Sequence, residues 1–215
     1  MIIVNSFYVD TNEKEIYDFL ARKGTTTIGM RFRDFILLAS DRRATAGYYI
    51  AHKKVKKIVK VTDYMALTVA GLVADAQMLA DYLSKHAILY QYRTGNRLSV
   101  EAAANYLSII LHSSRFYPYI VQLLIGGYDT KPRLYSLDWY GTLTEEKIVA
   151  TGSGSPIAIG LLEDQYKEDL KVEEAVKLAY RAVTSSIRRD SFTGNGVDIV
   201  VIGKDYIKEY NFDIS

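Results

Sequence analysis

From residue 25 the chain TTTIGMRF alternates, with Ile28, Met30 and Phe32 on one face, and Asp34 turns it into the apolar run FILLAS at 35–40. Period-two alternation, a polar turn and a second apolar run predict a β-hairpin. A third run, YMALTVAG at 64–71, ends on glycine and passes into Val73, Ala76, Ala80, Leu83 and Ala87. That spacing lines one face of a helix, so strand gives way to helix at Gly71. Val100, Ala103, Ala104, Leu107 and Leu111 predict a second amphipathic helix ending before Pro118, with its N-cap left open between Ser99 and Ala102.

Beyond Pro118, YIVQLLIGG at 119–127, PRLYSLD at 132–138 and KIVATG at 147–152 read as strands separated by turns such as 128–131. The glycine-rich TGSGSP at 151–156 opens a short helix through about Leu162. A strongly periodic helix follows over Val172, Ala175, Val176, Ala179, Val183 and Ile187. VDIVVI at 197–202 closes the pattern as a buried strand. Helices are thus segregated from hairpins, the arrangement of an α+β domain with helices packed outside stacked antiparallel sheets. No internal repeat, linker or low-complexity segment interrupts it.

Composition adds boundaries. The 215 residues are 49% hydrophobic and 24% charged, enough for one sizeable core and one domain. Lys+Arg 27 against Asp+Glu 25 gives a net charge of +2, without the basic surplus that nucleic-acid or membrane-surface binding demands. The chain has no cysteine, which removes disulfides, thiolate metal sites and a thiol nucleophile, and fits a reducing, cytoplasmic setting. No run reaches the roughly 18 apolar residues of a membrane span. Residues 1–24 carry Asp10, Glu13, Glu15 and Asp18 and lack a basic start before an apolar core, so they do not read as a secretory signal.

The candidate chemistry is narrow. HKKVKK at 52–57 reads as a solvated loop rather than a nucleic-acid patch. His52, His86 and His112 lack metal-ligand spacing, and neither metal nor cofactor is expected. TGSGSP precedes a helix but lacks the Lys-Ser/Thr ending of a phosphate-binding loop. GTTTIG at 24–29 is, on propensity, only a β-branched strand start. Its chemistry is conditional. A threonine at a chain terminus carries a hydroxyl and an α-amine on adjacent carbons, and an amine with a reference pKa near 8 is partly neutral at working pH. Such an amine takes the hydroxyl proton without any histidine.

Seven strings then occur in register: Gly24-Thr25-Thr26-Thr27, SDRRAT at 40–45, Lys56-Lys57, AGLVADAQ at 70–77, YPYIVQLLIGGYD at 117–129, ATGSGS at 150–155 and RDSFTGNGVD at 189–198. Together they resemble proteasome β subunits, archaeal ones most of all, over nearly the whole chain from Thr25 onward. The resemblance implies a four-layer αββα sandwich of the N-terminal-nucleophile hydrolase class, two antiparallel sheets between helical layers. It implies that residues 1–24 are a propeptide, removed when the Thr25 hydroxyl attacks the Gly24 carbonyl and the resulting ester is hydrolysed. Residues 25–215 would then form a single catalytic domain.

Site roles follow from the same resemblance, position by position. Thr25 matches the nucleophile. Lys57 matches a buried lysine whose charge favours loss of the hydroxyl proton and lowers the α-amine pKa. Asp41 matches its carboxylate partner. The Gly71 N–H matches the oxyanion donor, an interaction worth roughly 3–4 kcal/mol in comparable sites. Ser153, Asp190 and Thr193 match the group that binds the terminal amine and positions water. Thr193 stands where serine is usual, keeping the hydroxyl and adding a methyl. Ala44, Thr45, Val55, Val69 and Val73 match substrate-binding positions, and the apolar ones imply cleavage after large apolar residues.

The implied partners are proteasome α subunits and other β subunits in stacked seven-membered rings, an ATPase unfoldase and protein substrates. The resemblance leaves two functions: a threonine endopeptidase of the 20S core, or a structural β-type subunit that retains its propeptide and never exposes Thr25.

Overall fold

A computed structural model describes residues 24–214. The expectation for the propeptide, apart from Gly24, lies outside the described residues. The hairpin predicted at 25–40 is β1 (Thr27–Arg31) and β2 (Phe35–Asp41). Then come β3 (Ala44–Ala46), β4 (Tyr49–His52), β5 (Ile58–Lys60), β6 (Met65–Gly71), α1 (Val73–Thr94) and α2 (Val100–Ser113). The second half runs β7 (Val121–Tyr128), β8 (Pro132–Leu137), β9 (Leu143–Glu145), β10 (Ile148–Thr151), α3 (Ser155–Gln165), α4 (Val172–Ile187), β11 (Gly196–Gly203) and β12 (Tyr206–Asp213).

Two five-stranded sheets result, ordered β10-β1-β2-β11-β12 and β5-β6-β7-β8-β9, with β3 and β4 as a separate pair. Both sheets are antiparallel throughout. Period-two alternation explains the layering. On β2, Phe35, Leu37 and Ala39 pack with Ala158, Leu162, Ala179 and Val183 of α3 and α4. The intervening Ile36 and Leu38 face the other way and meet Ala66, Leu124 and Leu134 of the second sheet. β6 repeats the device, with Met65, Leu67 and Val69 packed beneath Leu79 and Leu83 of α1 and Leu107 and Leu111 of α2. A strand buried on both faces reads as a continuous apolar run, which is what FILLAS and YMALTVAG are.

This is the four-layer αββα sandwich. Two details differ from the sequence reading. Ser99 is the N-cap of α2, its hydroxyl accepting the Ala102 N–H at 3.1 Å, which settles the choice left open there. The chain does not close at residue 202 either. β12 follows and pairs along all of β11, from Gly196↔Asp213 to Gly203↔Tyr206. Its half-exposed, mixed composition is that of an edge strand, which carries a weak apolar signal.

Candidate active site

Thr25, Thr26 and Thr27 lead into β1 and are all buried, yet their hydroxyls go to different partners. The Thr25 Oγ1 receives Lys57 Nζ at 2.5 Å. Thr26 Oγ1 lies 2.8 Å from Thr193 Oγ1, and Thr27 Oγ1 lies 2.6 Å from Thr151 Oγ1 and accepts from Thr68 Oγ1 at 3.2 Å. A β-branched run that looks redundant in sequence thus serves separate hydrogen-bonding neighbourhoods.

Asp41, the last residue of β2, has 0% exposure, and its carboxylate is saturated. Oδ1 accepts the Thr26 N–H at 3.0 Å and Lys57 Nζ at 2.6 Å. Oδ2 accepts the N–H groups of Arg43 and Gly194, each at 2.9 Å. A buried charge survives only when paired and hydrogen-bonded in this way. Lys57, 4% exposed, precedes β5, and its carbonyl accepts the Val69 N–H of β6 at 2.9 Å. Burial pushes its ammonium pKa down, against the opposing pull of Asp41. Its Nζ therefore sits between a fixed carboxylate and the threonine hydroxyl, with a weakened hold on its proton.

The opposite flank of Thr25 is built of hydroxyls. Ser153 Oγ accepts the Thr25 N–H at 3.2 Å and donates to Asp190 Oδ2 at 2.5 Å, and Thr193 Oγ1 donates to the same oxygen at 2.5 Å. Asp190 hangs from the end of α4, its N–H donated to the Ser186 carbonyl at 2.8 Å, and Thr193 returns an N–H to the Asp190 carbonyl at 3.2 Å. Ser153 is delivered by a turn at Gly152, whose φ of +88° is left-handed and which sits so close to Thr25 that a Cβ there would lie 2.2 Å from the Thr25 carbonyl oxygen. With Gly24 attached, Thr25 N is a peptide nitrogen. Gly24 itself is buried, and a Cβ added to it would lie 1.9 Å from Phe192 Cβ and 2.5 Å from Ser153 Oγ.

Thr25 and Gly71 line one cleft of about 280 Å³ with Ala44, Thr45, Val69 and Val73. Gly71 has φ +118°, and a Cβ there would lie 2.1 Å from the Ile120 carbonyl oxygen, so no other residue fits this bend. Thr45 Oγ1 is buried with no hydrogen-bond partner among the described residues.

The structure thus brings Thr25, Asp41, Lys57, Ser153, Asp190 and Thr193 into one hydrogen-bonded constellation, with Gly71 on the wall of its cleft. Val55 is not on that wall. Its N–H is donated to the Arg42 carbonyl at 3.0 Å, and it lines a separate recess with Arg42, Lys54 and Asp198. Val59, His52 and Gln77 take part in the cleft instead. Val59 was accessible to pattern reasoning, since it lies two residues beyond Lys57 as the chain enters β5 and shares its side. His52 carried no such signal. Within HKKVKK, the solvated reading holds for His52, Lys53, Lys54 and Lys56, which are exposed, and fails for Lys57. His86 stacks on Tyr106 with ring centroids 4.0 Å apart. Among the described residues no helix is long and apolar enough to cross a membrane, and no three His, Asp or Glu side chains are grouped to hold a metal.

Comparison with known proteins shows the family. The family model described as "Proteasome subunit" matches residues 21–202. A protein of Hyperthermus butylicus named "Proteasome subunit beta 2" is 69% identical over 194 residues, covering 90% of this chain and 92% of its own. One of the same name from Aeropyrum pernix is 54% identical over 190 residues, covering 88% and 87%. "Proteasome subunit beta" of Methanococcus aeolicus is 48% identical over 192 residues, covering 88% of each chain. The chain belongs to the proteasome subunit family, as a β subunit of the archaeal type.

Proposed function

We propose that this β subunit is a threonine endopeptidase of the 20S core, with Thr25 as its nucleophile after self-removal of residues 1–24. The observation that carries the reading is the position of Lys57 Nζ, 2.6 Å from the Asp41 carboxylate and 2.5 Å from the Thr25 hydroxyl. A hydroxyl beside an ammonium of lowered pKa loses its proton more readily than a free threonine does.

Activation runs in two steps. Thr25 Oγ1 bonds to the Gly24 carbonyl carbon, the Gly24–Thr25 C–N bond breaks, and the freed nitrogen takes up the proton that the hydroxyl gave up. Water then hydrolyses the ester, leaving a carboxylate on Gly24 and restoring the Thr25 hydroxyl beside a new α-amine. That amine inherits the place of the present N–H, 3.2 Å from Ser153 Oγ. It lies close to Lys57, whose positive charge keeps it partly neutral and able to act as base.

Peptide hydrolysis repeats the chemistry on an external bond. The substrate carbonyl enters the cleft with its side chain against Ala44, Val69 and Val73. The oxyanion forms toward the Gly71 N–H, the leaving amine takes the proton from the Thr25 amine, and water positioned by Ser153, Asp190 and Thr193 hydrolyses the acyl ester. The apolar lining favours large apolar residues at the cleaved position. Family membership places the subunit in the proteasome core with other subunits. The setting we propose for this chemistry is stacked rings of α and β subunits, fed unfolded protein by an ATPase in the cytoplasm.

The test is the pair Thr25→Ala and Thr25→Ser in assembled particles. Thr25→Ala removes hydrolysis of apolar fluorogenic peptides while assembly persists, and Thr25→Ser retains a measurable rate. Peptide cleavage undiminished in particles containing only Thr25→Ala refutes the assignment.

A further inference from the structure

The start of β7 touches both flanks of the site. The Ile120 carbonyl accepts the Leu72 N–H at 2.8 Å, immediately after Gly71. Its own N–H is donated to Asp75 Oδ2 at 3.0 Å, and Val121 pairs with Gly71 across the ladder. The next residue, Gln122, reaches the other sheet. Its Oε1 accepts the Gly152 N–H at 3.3 Å.

Gly152 lies just beyond the last β1–β10 pair, Thr27↔Thr151, so its N–H falls where the ladder has ended. It also opens the left-handed turn that carries Ser153 to the nitrogen of Thr25 and to Asp190. The turn is fixed at one end by β10 and at the other by α3; the N–H groups of Gly154 and Ser155 are donated to the carbonyls of Thr25 and Gly152, the Gly154 carbonyl accepts the Ser186 hydroxyl, and the Gly152 N–H at its opening is held by Gln122. The amide side chain of Gln122 supplies an acceptor without placing a charge beside the amine.

We propose that Gln122 is a positioning residue: by holding the Gly152 N–H it sets the Ser153 hydroxyl against the nitrogen of Thr25, in register with the sheet that carries Gly71. The kinetic side of this inference rests on Thr25 being the nucleophile, whereas the hold on the turn does not.

Two substitutions separate the acceptor from mere bulk. Gln122→Met keeps the length and removes the oxygen, while Gln122→Glu keeps an acceptor. In assembled particles, Gln122→Met lowers kcat for peptide hydrolysis by about tenfold with little change in KM, the mark of a misplaced group rather than a lost binding contact. Gln122→Glu keeps kcat within about twofold and moves the rising limb of the pH profile upward, because a nearby negative charge raises the pKa of the Thr25 amine. Amide hydrogen exchange over residues 148–157 quickens in Gln122→Met and matches the parent in Gln122→Glu. Unchanged exchange or unchanged kcat in Gln122→Met overturns the proposal, as do equal losses in both variants. Parent particles with no Thr25-dependent hydrolysis overturn the earlier reading and the kinetic half of this one, and exchange still decides the hold on the turn.

Discussion

Thr25 is flanked by two acids in contrasting surroundings. Asp41 is fully buried and takes one ammonium and three backbone N–H donors, so every lone pair that matters is committed. Asp190 is half-buried, and its partners on Oδ2 are the rotatable hydroxyls of Ser153 and Thr193, with Ser153 itself exposed. The first is a fixed electrostatic fixture that cannot yield a donor without breaking the backbone around it. The second, a relay in the proposed mechanism, carries hydroxyl protons that can reorient, and its edge meets solvent. A nucleophile that must lose a proton, and an amine that must accept and return one, need one flank of each kind.

The largest effects come from breaking the fixed flank. Lys57→Met leaves Asp41 buried without its cation and costs about 3–5 kcal/mol. Asp41→Ala strands Lys57 and orphans three backbone donors, each worth about 1–3 kcal/mol, so it is the more destabilising of the two. Both variants lose peptide hydrolysis by about 10³-fold or more, a scale set by the removal of a group acting directly on the nucleophile. Thermal melting and peptide assays check both statements, and a Lys57→Met particle retaining a tenth of parental kcat would break the comparison.

Next in size is Gly24→Ala. The added methyl meets Phe192 and Ser153 on the relay flank, displacing the scissile carbonyl by enough to slow propeptide removal on the order of 10²-fold. Timed intact-mass measurements during assembly read this directly. Changes within the relay are smaller. Thr193→Val removes a hydroxyl from Asp190 and from Thr26 and lowers kcat by about 10-fold, whereas Thr193→Ser stays within about twofold.

The smallest effect is on stability against pH. Burial holds the Lys57 pKa below its unfolded value, so between the two values the unfolded chain binds more protons. Stability therefore rises with pH from the lowered value toward about 10.4, the ordinary lysine pKa, and the penalty is fully present below that window. Melting temperatures measured through the window show this upward contribution in the parent and its loss in Lys57→Met.

Much of the fold was legible because its central strands are buried on both faces. FILLAS and YMALTVAG declare themselves as apolar runs, and α4 shows its stripe over Val172 to Ile187. The elements that escaped are short or exposed. β3, β5 and β9 span three residues each, too few for any period to register, and β12 has the mixed pattern of an edge. The site was less legible from the residues themselves. Lys57 sits among lysines that are solvated, and its burial arises from strands distant in sequence. Asp41 ends a strand as many aspartates do. Only the joint resemblance singled them out, and it also named Val55, which lines the recess of Arg42 and Lys54 rather than the cleft that Val59 lines.

The proposed conversion of Thr25 into a nucleophile by cutting its own chain can be read from the amino-terminal residue of the subunit in assembled, peptide-hydrolysing particles. The expected result is a mature chain beginning at Thr25, and a Thr25→Ala chain in the same particles that keeps residues 1–24. A parent chain still beginning at Met1 in particles that cleave peptides would contradict it.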